Sequence, residues 1–139
     1  MITEDYVSFE TAKLLKERGF DEKCFHYYED NRHNDENIKF SNWYNIEYSN
    51  SNIGRRFAAP TLQMAMKWLR EVYYLHITVH PGVSEYGFIW TYAIVFAKDA
   101  GKGETHFYKI SQITTPIVKS KSYEEAAEAA IKHCLEKLI

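Results

Sequence analysis

The stretch Pro60-Thr-Leu-Gln-Met-Ala-Met-Lys-Trp-Leu-Arg-Glu-Val-Tyr73 decides how the rest of the chain is read. Its apolar residues Leu62, Met64, Ala65, Met66, Trp68, Leu69, Val72 and Tyr73 recur at helical spacing and cover most of a cylinder. Thr61 stands where an N-cap belongs, directly after Pro60. Only Gln63, Lys67, Arg70 and Glu71 form a polar stripe, and it is narrow. A helix that is apolar nearly all round must be buried on more than one side. Either it lies between a sheet and other helices, or part of it meets a second protein chain. Met64, Met66, Trp68 and Tyr73 are the residues that such a chain would touch.

Working back from this segment, Ser8 to Arg18 predicts a helix. Ser8 is its cap, Glu10 sits in its first turn, and Gly19 stops it. Phe9, Ala12 and Leu15 make the inward stripe, helped by Leu14 and Phe20, while Lys13, Lys16, Glu17 and Arg18 face water. Cys24 to Glu29 predicts a strand, and Phe40 to Tyr48 predicts a second strand paired with it. Between Asn31 and Asn52 lie all seven asparagines of the chain, a composition that favours turns. Residues 31–52 therefore read as an Asn-rich hairpin region, with a polar tip at 30–37 and a polar loop from Ser49 to Gly54.

Working forward, His76 to His80 alternates as a strand, and Pro81-Gly82 is expected to end it. The next strand, Tyr86 to Lys98, is the longest. Tyr86, Phe88, Trp90, Tyr92, Ile94 and Phe96 share one face; Gly87, Ile89, Thr91, Ala93, Val95 and Ala97 share the other. A turn at 99–104 leads to a strand from Thr105 to Ile113, and Pro116 places any further strand at an edge. Ser122-Tyr-Glu-Glu125 matches a capping box. It opens a helix whose stripe is Ala126, Ala127, Ala130, Ile131, Cys134 and Leu138. Small residues on this stripe suggest packing against the small-residue face of the long strand. The whole chain, 1–139, reads as a single α+β domain. An antiparallel sheet of four to five strands carries three helices mainly on one face, in the order α-β-β-α-β-β-β-α.

Bulk properties narrow the function classes. The 139 residues are 45% hydrophobic and 26% charged, with a formal charge of −2. That balance suits a globular protein and gives no global cationic field for a polyanion. No apolar run approaches the roughly 18 residues of a membrane span. The acidic start Met1-Ile-Thr-Glu-Asp5 lacks the basic and apolar parts of a secretion signal, so the expected location is the cytoplasm. Two cysteines, Cys24 and Cys134, fit a reducing compartment. Eleven Tyr, eight Phe and three Trp supply a dense aromatic core or a binding face.

Each motif that carries chemistry meets a plainer reading. Cys24 and His26 point the same way on a strand, but zinc needs four such ligands and no second pair accompanies them. His76 and His80 lie about 13 Å apart on a strand, too far to share a metal. Gly101-Lys102-Gly103 lacks the spacing of a phosphate loop. Arg55 and Arg56, ahead of a helix N-terminus, are a candidate anion site. The aromatic face containing Trp90 and Tyr92 is a candidate surface for a partner or a flat ligand. Residues 55–74 and 98–121 each carry a net charge of +3, and residues 29–54 carry −3. Convergence of the two positive segments in space would make a basic stripe, but no RNP-type pattern is present. The carboxylates Glu124, Glu125 and Glu128 read as a solvated helical face. No catalytic constellation and no cofactor or metal motif emerges.

Three stretches together resemble a known group. They are Ile2-Thr-Glu-Asp-Tyr-Val-Ser-Phe-Glu-Thr-Ala-Lys-Leu-Leu-Lys-Glu-Arg-Gly-Phe-Asp21, Ala59-Pro-Thr-Leu-Gln-Met-Ala-Met-Lys-Trp-Leu-Arg-Glu-Val72 and Ser122-Tyr-Glu-Glu-Ala-Ala-Glu-Ala-Ala-Ile-Lys-His-Cys-Leu-Glu-Lys-Leu138. The set is similar to small uncharacterised proteins encoded in prophage and mobile-element regions of gut-bacterial genomes. The resemblance covers the three helical stretches, a little under half of the chain, and brings no catalytic residue with it. It implies a bacterial or phage cytoplasmic origin and an accessory role. The expected function is a non-enzymatic protein-interaction module that binds a protein partner or itself. The alternatives are a small-ligand or enzymatic pocket lined by Trp90, Tyr92 and nearby histidines, or a weak single-stranded nucleic-acid binder.

Overall fold

The computed structural model describes residues 1–29, 39–40, 49–50, 56–85, 87–98, 105–108 and 120–139. Over these residues the chain is α+β, with helices α1 (Phe9–Glu17), α2 (Leu62–Tyr73) and α3 (Tyr123–His133). The strands are β1 (His26–Glu29), β2 (Lys39–Phe40), β3 (Arg56–Ala58), β4 (Leu75–Ser84), β5 (Gly87–Ala97) and β6 (Thr105–Tyr108). The chain divides into two compact units, 1–65 with Ile139 and 66–138, and the division falls within α2.

A single sheet of four to five strands is not seen among the described residues. The described strands make two three-stranded antiparallel sheets, β2-β1-β3 and β4-β5-β6. Strand β3 has no counterpart in the sequence pattern. Arg56 to Ala58 takes the free edge of β1, with Tyr28 opposite Phe57 and Glu29 opposite Arg56. The strands after α2 then build a sheet of their own.

In the first unit, local chemistry sets α1. Ser8 is extended (φ −68°, ψ 164°) and its hydroxyl accepts the Thr11 N–H at 3.2 Å. Gly19, at φ +89°, stops the helix in a conformation that a side chain would disfavour. Phe9, Thr11, Ala12, Leu15 and Phe20 are buried. Lys16 does not simply face water: its ammonium donates to the Arg56 carbonyl at 3.0 Å and lies 4.8 Å from the Phe57 ring centre. The chain ahead of α1 runs along the entry to α2, with Val7 donating to Pro60 O and Leu62 donating to Asp5 O. Tyr28 closes this layer by donating its hydroxyl to Val7 O at 2.7 Å.

In the second unit, β4 runs straight through Pro81-Gly82 to Ser84, so the expected strand end there is corrected. Proline removes a ladder donor only where its nitrogen faces the neighbouring strand. Pro81 lies opposite Trp90, and Trp90 sends its own N–H to Ser120 O at 3.1 Å, on the other side of β5. Pro81 and Trp90 are therefore a non-hydrogen-bonded pair, and the Pro81 nitrogen faces away from β5. Tyr74, in the left-handed region at φ +59°, makes the bend from α2 into β4. Glycine more often fills that place.

Ser122 caps α3 by accepting the Glu125 N–H at 3.1 Å. The Glu125 carboxylate reaches back to the Lys121 N–H at 2.6 Å. A π-helical turn, Cys134–Leu138, follows α3. Along this helix Ala126, Ala127, Ala130, Ile131, Cys134 and Leu135 are buried, whereas Leu138 is only half-buried. The alanine stripe does not seek the small-residue face of β5. Tyr123 touches Trp90 edge-on at 5.6 Å, and Cys134 lies close enough to Tyr92 to influence its hydroxyl. Both contacts are to the large-ring face, where small helical side chains leave volume for rings to fill. Among the described residues, no helix is long and apolar enough to cross a membrane.

Candidate functional site

The large-ring face of the β4–β5 hairpin grades from buried to open along its length. At the inner end Leu75 stands opposite Phe96 and Ile77 opposite Ile94, and Ile94 is fully buried. In the middle Val79 faces Tyr92, and Pro81 faces Trp90. Tyr92 and Trp90 are both half-buried. At the outer end Val83 faces Phe88, and these two are 86% and 62% exposed. Phe88 meets Trp90 edge-on at 5.3 Å, and Trp90 meets Tyr123 in the same way. The exposed ring is therefore the last member of a chain of ring contacts that is rooted on α3.

Strict alternation explains why these residues share a face, and it also shows why Val83 escaped the sequence reading. With Pro81-Gly82 taken as a strand end, Val83 falls outside the pattern. Carrying the odd-residue series Leu75, Ile77, Val79, Pro81 onward reaches Val83 directly.

The residues singled out on α2 divide. Met66 and Trp68 are buried at 7% exposure each, so they offer no surface on this chain. Tyr73 is half-buried, edge-on to Trp68 at 5.2 Å. Met64 is 38% exposed, with its sulfur 3.9 Å from the Cys24 thiol. Among the named surface residues only Trp90 and Tyr92 share the open hairpin face, and Met64 belongs to the other unit.

Of the candidate anion site, only Arg56 is among the described residues, and Arg55 lies outside them. Arg56 is in β3, where its Nε donates to Glu29 Oε1 at 2.9 Å and its guanidinium lies 4.6 Å from the Tyr27 ring centre. The N–H groups at the start of α2 are also engaged: Leu62 donates to Asp5 O and Met64 to the Thr61 hydroxyl.

Two of the histidines, His76 and His80, do not share the ring face. His76 stands opposite Val95 and His80 opposite Thr91, which puts both on the face away from Trp90 and Tyr92. His76 Nε2 lies 3.1 Å from Ala97 O. His26 packs on Tyr6 with ring centres 4.2 Å apart, and burial pushes its pKa down. Burial pushes the Cys134 thiol up to about 12, which removes it as a nucleophile at neutral pH. Burial, then the neighbouring Cys134, raises the Tyr92 hydroxyl. Among the described residues, no group of three or more His, Cys, Asp or Glu side chains is placed to hold a metal ion. The Gly101-Lys102-Gly103 turn and most of the basic segment 98–121 lie outside the described residues.

No family model, no curated protein and no solved structure matches the chain.

Proposed function

We propose that the chain is a non-enzymatic protein-interaction module whose contact surface is the open end of the β4–β5 hairpin. One observation carries this reading: Val83 and Phe88, directly opposite each other on one face, are 86% and 62% exposed. A single exposed apolar residue is ordinary, but a cross-strand pair of them at a hairpin end is a contiguous patch. Phe88 is also braced by Trp90, so little side-chain freedom remains to be lost when a partner covers it. Aromatic anchors of this kind dominate the energetics of protein interfaces. An accessory role in a bacterial or phage cytoplasm belongs to the same reading and is supported by the likeness of the three helical stretches.

The test compares tagged wild type with the double variant Val83→Ser/Phe88→Ser as bait in cell extract, with captured proteins quantified by mass spectrometry. A partner retained in near-stoichiometric amount by wild type should fall at least ten-fold with the variant, at unchanged circular dichroism. Equal retention by a folded variant would remove the hairpin end as the contact surface.

A further inference from the structure

The outer edge of β4 is self-complementary over a short stretch. Among the described residues, β4 pairs with β5 and no strand pairs with its other edge. Ladder parity fixes which groups look outward. Ala97 donates to Tyr74 O at 3.0 Å, which makes that pair hydrogen-bonded, and such pairs alternate along an antiparallel ladder. His76, Thr78 and His80 therefore bond to β5, while Leu75, Ile77 and Val79 turn their N–H and C=O groups away from it. No described residue bonds to those outward groups. Leu75 is only 3% exposed, whereas Ile77 and Val79 are half-buried and Thr78 and His80 are exposed. The reachable part of the edge is thus His76 to His80. No residue from Leu75 to Ser84 carries a formal charge at neutral pH. Edge strands are commonly protected by charge, especially lysine, or by proline. Here Pro81 alone protects, and only toward the hairpin end.

We propose that a second copy of this chain pairs with this edge, antiparallel about a two-fold axis, with Thr78 opposite the partner's Thr78. Ile77 then exchanges both backbone bonds with the partner's Val79, and Val79 with the partner's Ile77. The limits of the edge select this register. Sliding the copies one pair toward the hairpin end sets the Pro81 ring opposite Ile77, where a donor is needed. Sliding them the other way requires the buried backbone of Leu75. In the chosen register aliphatic side chains meet on the ring face, His76 meets the partner's His80 on the other, and no formal charges oppose each other. A second copy fits because the two outward-turned residues within reach complete each other under the two-fold. This deepens the interaction reading and rests on it, but it uses a different part of the hairpin from Val83 and Phe88.

The full chain carrying Thr78→Cys provides the sharpest test. Directly opposite residues across such a pair have Cβ atoms about 4.5–5.5 Å apart, close enough for a disulfide after small adjustment. Mild oxidation should give a disulfide-linked dimer, and His80→Cys, which faces the partner's His76, should give at least ten-fold less. Cys24 and Cys134, 4% and 0% exposed, do not compete. In sedimentation, wild type should show a concentration-dependent monomer–dimer equilibrium. Thr78→Lys, which sets two ammonium groups face to face, should abolish it at unchanged circular dichroism. A strictly monomeric wild type, equal cross-linking at 78 and 80, or a dimer that survives Thr78→Lys would each overturn the proposal. Val83→Ser/Phe88→Ser should leave the dimer intact. A wild type that captures a partner yet stays monomeric refutes edge pairing alone, and a dimeric wild type whose partner is retained equally by Val83→Ser/Phe88→Ser refutes the hairpin-end surface alone.

Discussion

Asn50, 9% exposed, satisfies two backbone groups at once. Its Nδ2 donates to the Phe20 carbonyl at 2.7 Å, and its Oδ1 accepts the Ala58 N–H at 2.9 Å. Phe20 lies just beyond α1 and Ala58 ends β3, so one amide ties the stop of a helix to an edge strand. Asn50→Ala would strand a donor and an acceptor, each costing about 1–3 kcal/mol when buried without a partner. The variant should lose about 2–4 kcal/mol, read from the shift of its urea midpoint at constant slope. A loss below about 1 kcal/mol would mean that water replaces the amide without difficulty. Nothing in the sequence marks this residue. It sits in a run of asparagines whose composition says turn, and its partners are 30 and 8 residues away. Partners at that separation leave no local trace, so the segment from Ser49 reads as a polar loop although Ser49 and Asn50 are both buried.

At the scale of elements, the legible features are those set by near neighbours. Ser8, Thr61 and Ser122 each accept an N–H from the residue three positions on, and spacing alone identifies all three. The end of β4 was illegible because proline disrupts a strand only according to the direction of its nitrogen, which depends on a register with β5. The seating of α3 was illegible too, because small residues can meet small ones or make room for rings. Helix α2 shows where legibility ends within one element. Its apolar girth follows from residue spacing, but whether this chain or another covers it depends on contacts beyond the helix. Leu62, Ala65, Met66, Trp68 and Leu69 are all buried in the single chain, leaving only Met64 and Val72 as exposed large apolar residues of the helix. Truncation should follow that division. Trp68→Ala should cost about 3–5 kcal/mol and Met66→Ala about 2–5, as core deletions do, and Met64→Ala should stay below about 1. Chemical denaturation of the three variants checks the ranking, and a cost at Met64 equal to that at Trp68 would contradict the burial pattern.

Across the whole molecule, the expectation of one domain meets two compact units whose division falls inside one continuous helix. The first turn of α2, with Leu62 and Ala65, belongs to one unit, and Met66, Trp68 and Leu69 belong to the other. A helix of this length is marginal in water without packing along its face. The helix runs unbroken across the division, so fraying that starts when either unit opens would spread into residues of the other. The two units should therefore unfold together. The cysteines report on this, because each unit holds one: Cys24 in the first and Cys134 in the second, both buried. In native buffer neither thiol should react appreciably with an alkylating reagent, Cys134 least of all, since burial holds its pKa near 12 and starves it of thiolate. With increasing urea, brief pulses of reagent followed by peptide mass spectrometry give a separate labelling midpoint for each cysteine. Coincident midpoints are the expected result, together with a single unfolding transition in circular dichroism. If Cys134 labelled at clearly lower urea than Cys24, or the reverse, α2 would not transmit the loss of one unit to the other, and each unit's stability would have to be measured alone.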